Sequence, residues 1–273
     1  MKLPIFAIKF LISESLINEI DIKDVQAIKC VAGSTHVMNT CLISGDRYYL
    51  KFSDESLFDK SDPSLQILVE YLAYKVYELY PSISVPKVHL VYDKSKKRVG
   101  LSTSEVKGKQ ALTSLSANQL GKMLSAGVYV DIFLANWDVI GTGSGNIIVG
   151  NNKATRIDPG GALTFRAQGG RKYEKFGKKA SELSTMLDPS FGGAGKILSY
   201  SDMMIASKEF MSVAWSQINA TLMSVNREIK NELQQRNMSS LLQQWEKDFS
   251  EILEKLQFRH KEITSHIKKT QEL

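Results

Sequence analysis

The chain has 273 residues, 43 % of them hydrophobic, and 35 Lys and Arg against 29 Asp and Glu give a net charge of +6. That is enough apolar material for a two-lobed unit with a large core, and no stretch approaches the roughly 20 apolar residues of a membrane span. Only two cysteines are present, Cys30 and Cys41, which excludes a disulfide framework and suits a reducing compartment.

The opening, Met1 to Ile12, is apolar but is broken by Lys9, and no small-residue cleavage site follows. It reads as an edge strand or packing segment rather than a signal peptide, so a cytoplasmic location is expected. Lys29 to Ile43 predicts two short strands about a small polar turn at Gly33, Ser34 and Thr35, with Cys30 and Cys41 on the two arms. Amides in such a turn can approach a phosphate closely. The turn lacks the three-glycine pattern and has no Walker lysine, so its value lies in its position just before the next strand. That strand is Asp46 to Phe52, where Lys51 sits between apolar neighbours near the end. Burying a lysine is costly unless an anion meets it. Nineteen positions later, Glu70 falls in a helical stretch spaced by Leu68, Leu72, Val76 and Leu79. Glu70 is thus a candidate to pair with Lys51 and hold it toward a nucleotide phosphate. The plainer alternative is a solvated glutamate on a surface helix.

Val88 to Tyr92 and Val99 to Ser102 predict strands joined by a charged hairpin turn, Asp93 to Arg98. Leu120, Met123, Leu124, Val128, Ile132 and Phe133 then have helical spacing, and Asp131 inside that run reads as a structural residue or helix-end cap. Asp138 opens a glycine-broken polar loop that Asn146 closes. A hairpin follows: Ile147 to Val149, a turn at Asn151 and Asn152, and a strand ending at Asp158 before Pro159 and Gly160. Two carboxylates and an amide around such a hairpin supply the oxygen ligands that magnesium prefers, and manganese can take its place. The remaining carboxylate can orient a hydroxyl nucleophile, as phosphoryl transfer requires.

The order turn, Lys51, Glu70, Asp138, Asn146, Asp158 resembles the protein-kinase-like superfamily, in particular its remote atypical branches: HipA-like toxin kinases, actin-fragmin kinase and phosphoinositide-kinase-like folds. In these an Asn-x-Asp element replaces the His-Arg-Asp of ordinary kinases, and here it is Asn136-Trp137-Asp138. The resemblance spans about Val31 to Gly161. It implies that Lys51 contacts the α and β phosphates of ATP with Glu70 bracing it, that Asp138 is the catalytic aspartate, and that Asn146 and Asp158 bind the metal. It also places a hinge at Ser102 to Gly108, where backbone groups of Glu105 and Val106 would hold the adenine. Two departures stand out. Asn146 follows Asp138 by eight positions, a longer loop than ordinary kinases use, and Asp158-Pro159-Gly160 replaces Asp-Phe-Gly, losing the aromatic that reports active and inactive states.

Gly169 to Lys179 is strongly basic. With Arg166, its Arg171, Lys172, Lys175, Lys178 and Lys179 are candidates to recruit an acidic substrate, an anionic lipid headgroup or a polyanionic activator such as an inositol phosphate, unless the segment is simply a mobile charged loop. Neither basic cluster interleaves aromatics in a stacking pattern, which argues against nucleic acid. Ser201 to Gln235 and Ser239 to Thr270 predict two long helices, the second with an apolar face of Leu242, Trp245, Phe249, Ile252 and Leu256. His260 and His266 are six apart and make no i, i+4 metal pair.

The expected fold is therefore α+β and bilobal, protein-kinase-like, with a β-rich lobe at 1–107 and a helical lobe with extra C-terminal helices at 108–273. The expected activity is an ATP- and magnesium-dependent atypical kinase acting on a protein or lipid hydroxyl. The alternatives are AMP transfer, a lipid or small-molecule kinase, and an inactive nucleotide-binding module. A bacterial effector exported into a host cell is a further expectation, although no export signal is readable.

Overall fold

The computed structural model describes residues 17–20, 29–30, 37–43, 46–52, 63–94, 96–111, 115–139, 146–151, 153–166, 169–190 and 194–272. The opening segment and the turn at Gly33, Ser34 and Thr35 lie outside the described residues, as does Asn152.

The first lobe is a six-stranded sheet. Its strands are β1 (Ile17–Ile20), β2 (Lys29–Cys30), β3 (Val37–Ile43), β4 (Asp46–Phe52), β5 (Val88–Asp93) and β6 (Arg98–Ser104), in the order β1-β5-β6-β4-β3-β2. All neighbours run antiparallel except β1 beside β5. The charged turn between β5 and β6 closes a hairpin with Asp93 opposite Arg98, as its sequence predicts. Cys30 lies opposite Asn39, two positions short of Cys41. β4 begins exposed and ends buried, and Lys51 is placed between Met38 and Leu101 on the adjoining strands.

One helix, α1 (Ser64–Tyr77), packs on this sheet, and Lys75 is its one residue that is not buried. The burial all round follows from its place between β5 and β6 on one side and the C-terminal helices on the other. Glu70, Tyr74 and Tyr77 therefore ride inward at i, i+4 and i+7, on one face. The solvated alternative for Glu70 does not hold, because it is 2 % exposed.

The second lobe begins with a small sheet, β7 (Lys109–Gln110), β8 (Ile147–Gly150) and β9 (Lys153–Arg156). The apolar run before Asp138 is not one helix. It is split into α2 (Ala117–Leu124), a 3-10 turn (Ser125–Gly127) and α3 (Val128–Phe133). The break has a steric cause: a Cβ on Gly127 would lie 2.1 Å from the Arg156 guanidinium, so the turn brings backbone against a buried arginine. α2 is opened by a capping box between Ser116 and Gln119.

Two short helices follow, α4 (Glu182–Thr185) and α5 (Ala194–Ile197), and then three longer ones: α6 (Tyr200–Met211), α7 (Trp215–Gln235) and α8 (Ser239–Gln271). The single helix expected over Ser201 to Gln235 is two. Ser212 turns its hydroxyl back onto the Glu209 carbonyl, Val213 is buried, and Ala214 is extended, so the chain bends before α7 begins. In α8 the buried stripe is Leu241, Trp245, Phe249, Ile252, Leu256, Ile263 and Ile267, and the expected Leu242 is only partly buried at its edge. The α+β, two-lobed architecture is the one expected, with a β-rich first part and a helical remainder. Among the described residues, no helix is long and apolar enough to cross a membrane.

Candidate active site

Lys51, from the buried end of β4, is 5 % exposed and meets two carboxylates. Its Nζ donates to Glu70 Oε2 at 2.7 Å and to Asp158 Oδ1 at 2.5 Å. Burial works against the ammonium, but the Asp158 and Glu70 carboxylates outweigh it and hold the lysine pKa above its ordinary value. Burial pushes the Glu70 carboxyl up to about 7 against the pull of Lys51, and nearby Asp158 adds to the rise. The Asp158 side chain is half exposed, so the cluster has one end in the protein and one facing outward.

Asp158 is reached through the β8–β9 hairpin. Ile147 pairs with Arg156, and the next amide, Ile157 N–H, donates to the Asn146 carbonyl at 2.9 Å. The Asn146 backbone thus lies against Ile157, the residue before Asp158. Asp158 itself is in the left-handed region (φ 49°), and its N–H donates to the Tyr74 hydroxyl at 2.8 Å. Ala135 (φ 52°) and Leu163 (φ 54°) share that conformation, and the Leu163 N–H donates to the Leu134 carbonyl. Non-glycine residues held there store strain that the surroundings must over-determine, a feature that clusters at functional sites. Gly160 lies under the ion cluster: a Cβ on it would stand 3.0 Å from Glu70 Oε2, 3.1 Å from Lys51 Nζ and 3.2 Å from Asp158 Oδ1. Gln66 of α1 braces the same turn by donating to the Gly160 carbonyl.

The loop that carries Asp138 is fixed from below. Asp131 is fully buried and takes both Nε and NH2 of Arg156 at 2.9 Å, and the Tyr77 hydroxyl donates to it at 2.7 Å. Asn136 N–H donates to the Asp131 carbonyl, and its side-chain amide donates to the Tyr77 hydroxyl. Asp131 is thus a structural partner, as its place in the apolar run suggests. Asn136 belongs to that scaffold, while Trp137 beside it is 40 % exposed.

Asp138 is half-buried and borders a cavity of about 420 Å³ together with Trp137, Arg166, Lys172, Lys175 and Glu182. Burial raises its pKa above the ordinary aspartate value, with Lys172 opposing the rise and Asp158 adding to it. Lys172 is not part of a basic surface. It is buried, and its Nζ donates to the carbonyls of Ala135 and Gly161, tying the Asp138 loop to the turn after Asp158. Burial lowers its pKa to about 7 against the attraction of Glu182 and Asp138. Two other cations of the basic segment are paired. Arg171 pairs with Asp248 and Lys178 with Glu254, both on α8.

Sequence reasoning missed Lys172 as a buried residue, and it missed Tyr74, Gln66, Glu182 and Arg259 altogether. Arg259 of α8 is fully buried, and it donates to Glu182 Oε2 at 2.7 Å, to the Phe133 carbonyl at 2.9 Å and to the Lys179 carbonyl at 3.0 Å. A signal for it was available, because Arg259 falls three residues after Leu256 and four before Ile263, within the apolar stripe.

At the expected hinge, Glu105 N–H is already used by the Arg47 carbonyl, and its carboxylate pairs with Arg47 at 3.0 Å. The N–H and carbonyl of Val106 enter no backbone hydrogen bond among the described residues. Among those residues no group of three or more His, Cys, Asp or Glu stands ready for a metal. Asp158 and Asn146 are the residues that could donate oxygens to magnesium, with substrate phosphates and water completing the shell.

No family model and no curated protein matches the chain. Among solved structures it is similar to the Helicobacter pylori proinflammatory kinase CtkA, at 11 % identity over 90 % of this chain and 99 % of that one, with a TM-score of 0.49. It is also similar to a putative aminoglycoside phosphotransferase from Ralstonia eutropha, at 11 % identity over 85 % of this chain and 92 % of that one, with a TM-score of 0.37.

Proposed function

We propose that the chain is a phosphotransferase that moves the γ-phosphate of ATP to a hydroxyl acceptor. The observation that carries this reading is the buried Lys51 held between Glu70 and Asp158, with Asp138 and Gly161 lining one cavity. Lys51 and Glu70 together present a fixed cation to a phosphate. Asp158 and Asn146 would hold magnesium, which supplies charge neutralisation on the transferred group.

Asp138, whose pKa burial raises, would act as the base that orients the acceptor hydroxyl and receives its proton as the new oxygen–phosphorus bond forms and the bond to the ADP oxygen breaks. Lys172, bound to the carbonyls beside both aspartates, keeps the two loops at a set separation. Val106, at the link between lobes, offers its backbone groups to an adenine edge.

The test is label transfer from γ-labelled ATP with magnesium, run beside Asp138→Asn and Asp158→Asn. Both variants are expected to keep the fold and lose transfer. Full transfer in either one overturns the assignment, and a labelled adenylate adduct from α-labelled ATP would replace it with AMP transfer.

A further inference from the structure

The cavity beside Asp138 identifies the kind of acceptor, an inference that rests on the phosphotransferase reading above. Its size, about 420 Å³, is that of a small-molecule site rather than a flat docking face. Its charge is uneven. Three cations line it, Arg166, Lys172 and Lys175, against two carboxylates, Asp138 and Glu182. Glu182 is committed to the buried Arg259, and Lys172 to two carbonyls. Arg171 and Lys178, in the same stretch of chain, are each matched by a carboxylate of α8. Arg166 and Lys175, the two that border the cavity from its exposed side, enter no ion pair among the described residues. Trp137, next to the base in the chain, is 40 % exposed and lines the same cavity.

Two unmatched cations, an exposed aromatic face and a carboxylate base around one small cavity are the complement of a ligand with an anionic group, an apolar ring or chain face, and a free hydroxyl. We propose that the acceptor is a phosphorylated polyol, its phosphate held by Arg166 and Lys175, its carbon face on Trp137 and one hydroxyl directed to Asp138. An arginine and a lysine together suit a phosphate, the first by its planar fork and the second as a point charge. The reaction balances as before: the polyol oxygen bonds to the γ-phosphorus, ADP leaves and the hydroxyl proton passes to Asp138. A neutral or cationic acceptor would leave Arg166 and Lys175 unanswered.

The experiment has a binding arm and a transfer arm. In the first, intrinsic tryptophan fluorescence is titrated without ATP, using glycerol 3-phosphate, glucose 6-phosphate and inositol 1-phosphate, each beside its unphosphorylated parent. A saturable change is expected with at least one phosphorylated polyol and not with its parent, and it should vanish in Trp137→Phe. In the second, the same compounds, phosphatidylinositol vesicles and a serine-containing peptide are offered with γ-labelled ATP. A phosphorylated polyol is expected to be preferred over its parent by at least about 10-fold in kcat/KM, the equivalent of one charge-assisted contact. Arg166→Gln with Lys175→Gln should abolish that preference, whereas Lys196→Gln, an exposed lysine of α5 away from the cavity, should not.

Label entering only the vesicles would support the same headgroup chemistry from a membrane source. Equal use of parent and phosphorylated compounds, label in the peptide alone, or no saturable fluorescence change with any phosphorylated polyol would each overturn the proposal. Because the titration needs no ATP, binding without transfer would sink the phosphotransferase reading while leaving the cavity's ligand class standing.

Discussion

Lys51 Nζ and Asp158 Oδ1 stand 2.5 Å apart, although 107 positions separate the two residues in the chain. One comes from an inner strand of the first sheet and the other follows the hairpin of the second, so the contact ties the two sheets together at the site. Asp158→Asn removes the charge that both Lys51 and a magnesium ion would use. Phosphoryl transfer is expected to fall at least about 100-fold, as losses of fixed charge at a reacting centre do. The half-exposed side chain contributes little to the core, so the circular dichroism spectrum and melting temperature should stay close to those of the parent. Transfer at parental rate would remove Asp158 from the mechanism.

Gly160 makes a second prediction from space alone. A methyl group there presses on Lys51 Nζ, Glu70 Oε2 and Asp158 Oδ1 at once, all within 3.2 Å. All three are hydrogen-bonded within the cluster, so a shift of one perturbs the others. Gly160→Ala is expected to cost about 1–3 kcal/mol of stability, the usual penalty for overpacking. KM for ATP should rise with it. Chemical denaturation and initial-rate kinetics on the same preparation check both, and a variant that matches the parent in each would show that the cluster has slack.

Much of this site was legible in the sequence because its parts lie at the ends of short elements with clear patterns. Lys51 was readable as a lysine inside an apolar strand, Asp158 as the end of a hairpin strand, and Glu70 as a partner at helix distance. What the sequence hid were groups whose role depends on contacts between distant segments. Lys172 looks like one of several basic residues until its N–H is found on the Thr164 carbonyl and its Nζ on the carbonyls of Ala135 and Gly161. Gly127 looks like an interruption in a helix until Arg156, 29 positions later, is found against it. The bend at Ser212 to Ala214 carries no proline or glycine, so helical composition on both sides concealed it.

Asp131 and Asp138 are seven positions apart and do different work, which a stability measurement should separate. Asp131 is fully buried and shares two hydrogen bonds with a buried Arg156. Asp131→Asn leaves that guanidinium uncompensated, and breaking such a pair costs about 3–5 kcal/mol. Replacing both partners, Asp131→Leu with Arg156→Met, is expected to restore part of the loss, because a buried pair is stabilising only relative to its broken half. Asp138→Asn should instead leave the urea midpoint nearly unchanged and abolish transfer. Equal midpoints for Asp131→Asn and Asp138→Asn would contradict this division.

The protonation of Glu70 gives the folded state a pH dependence of known sign. Burial holds the carboxyl up to about 7 in the folded chain, whereas an unhindered glutamate titrates at 4.5, so between those values the folded chain binds the additional proton. The stability contributed through Glu70 is complete below 4.5 and is lost as pH rises through about 7. Lys51 adds no opposing slope there, since its raised pKa keeps it protonated throughout. Glu70→Gln cannot ionise and lacks this dependence. Urea denaturation of both proteins at about pH 5 and about pH 7 should show the parent losing stability relative to the variant, by at most roughly 1.4 kcal/mol per pH unit. At about pH 5, where the carboxyl is protonated and nearly isosteric with the amide, the two should lie closest. Parallel stability profiles would mean that Glu70 stays ionised across the range and that its pairing with Lys51 outweighs its burial.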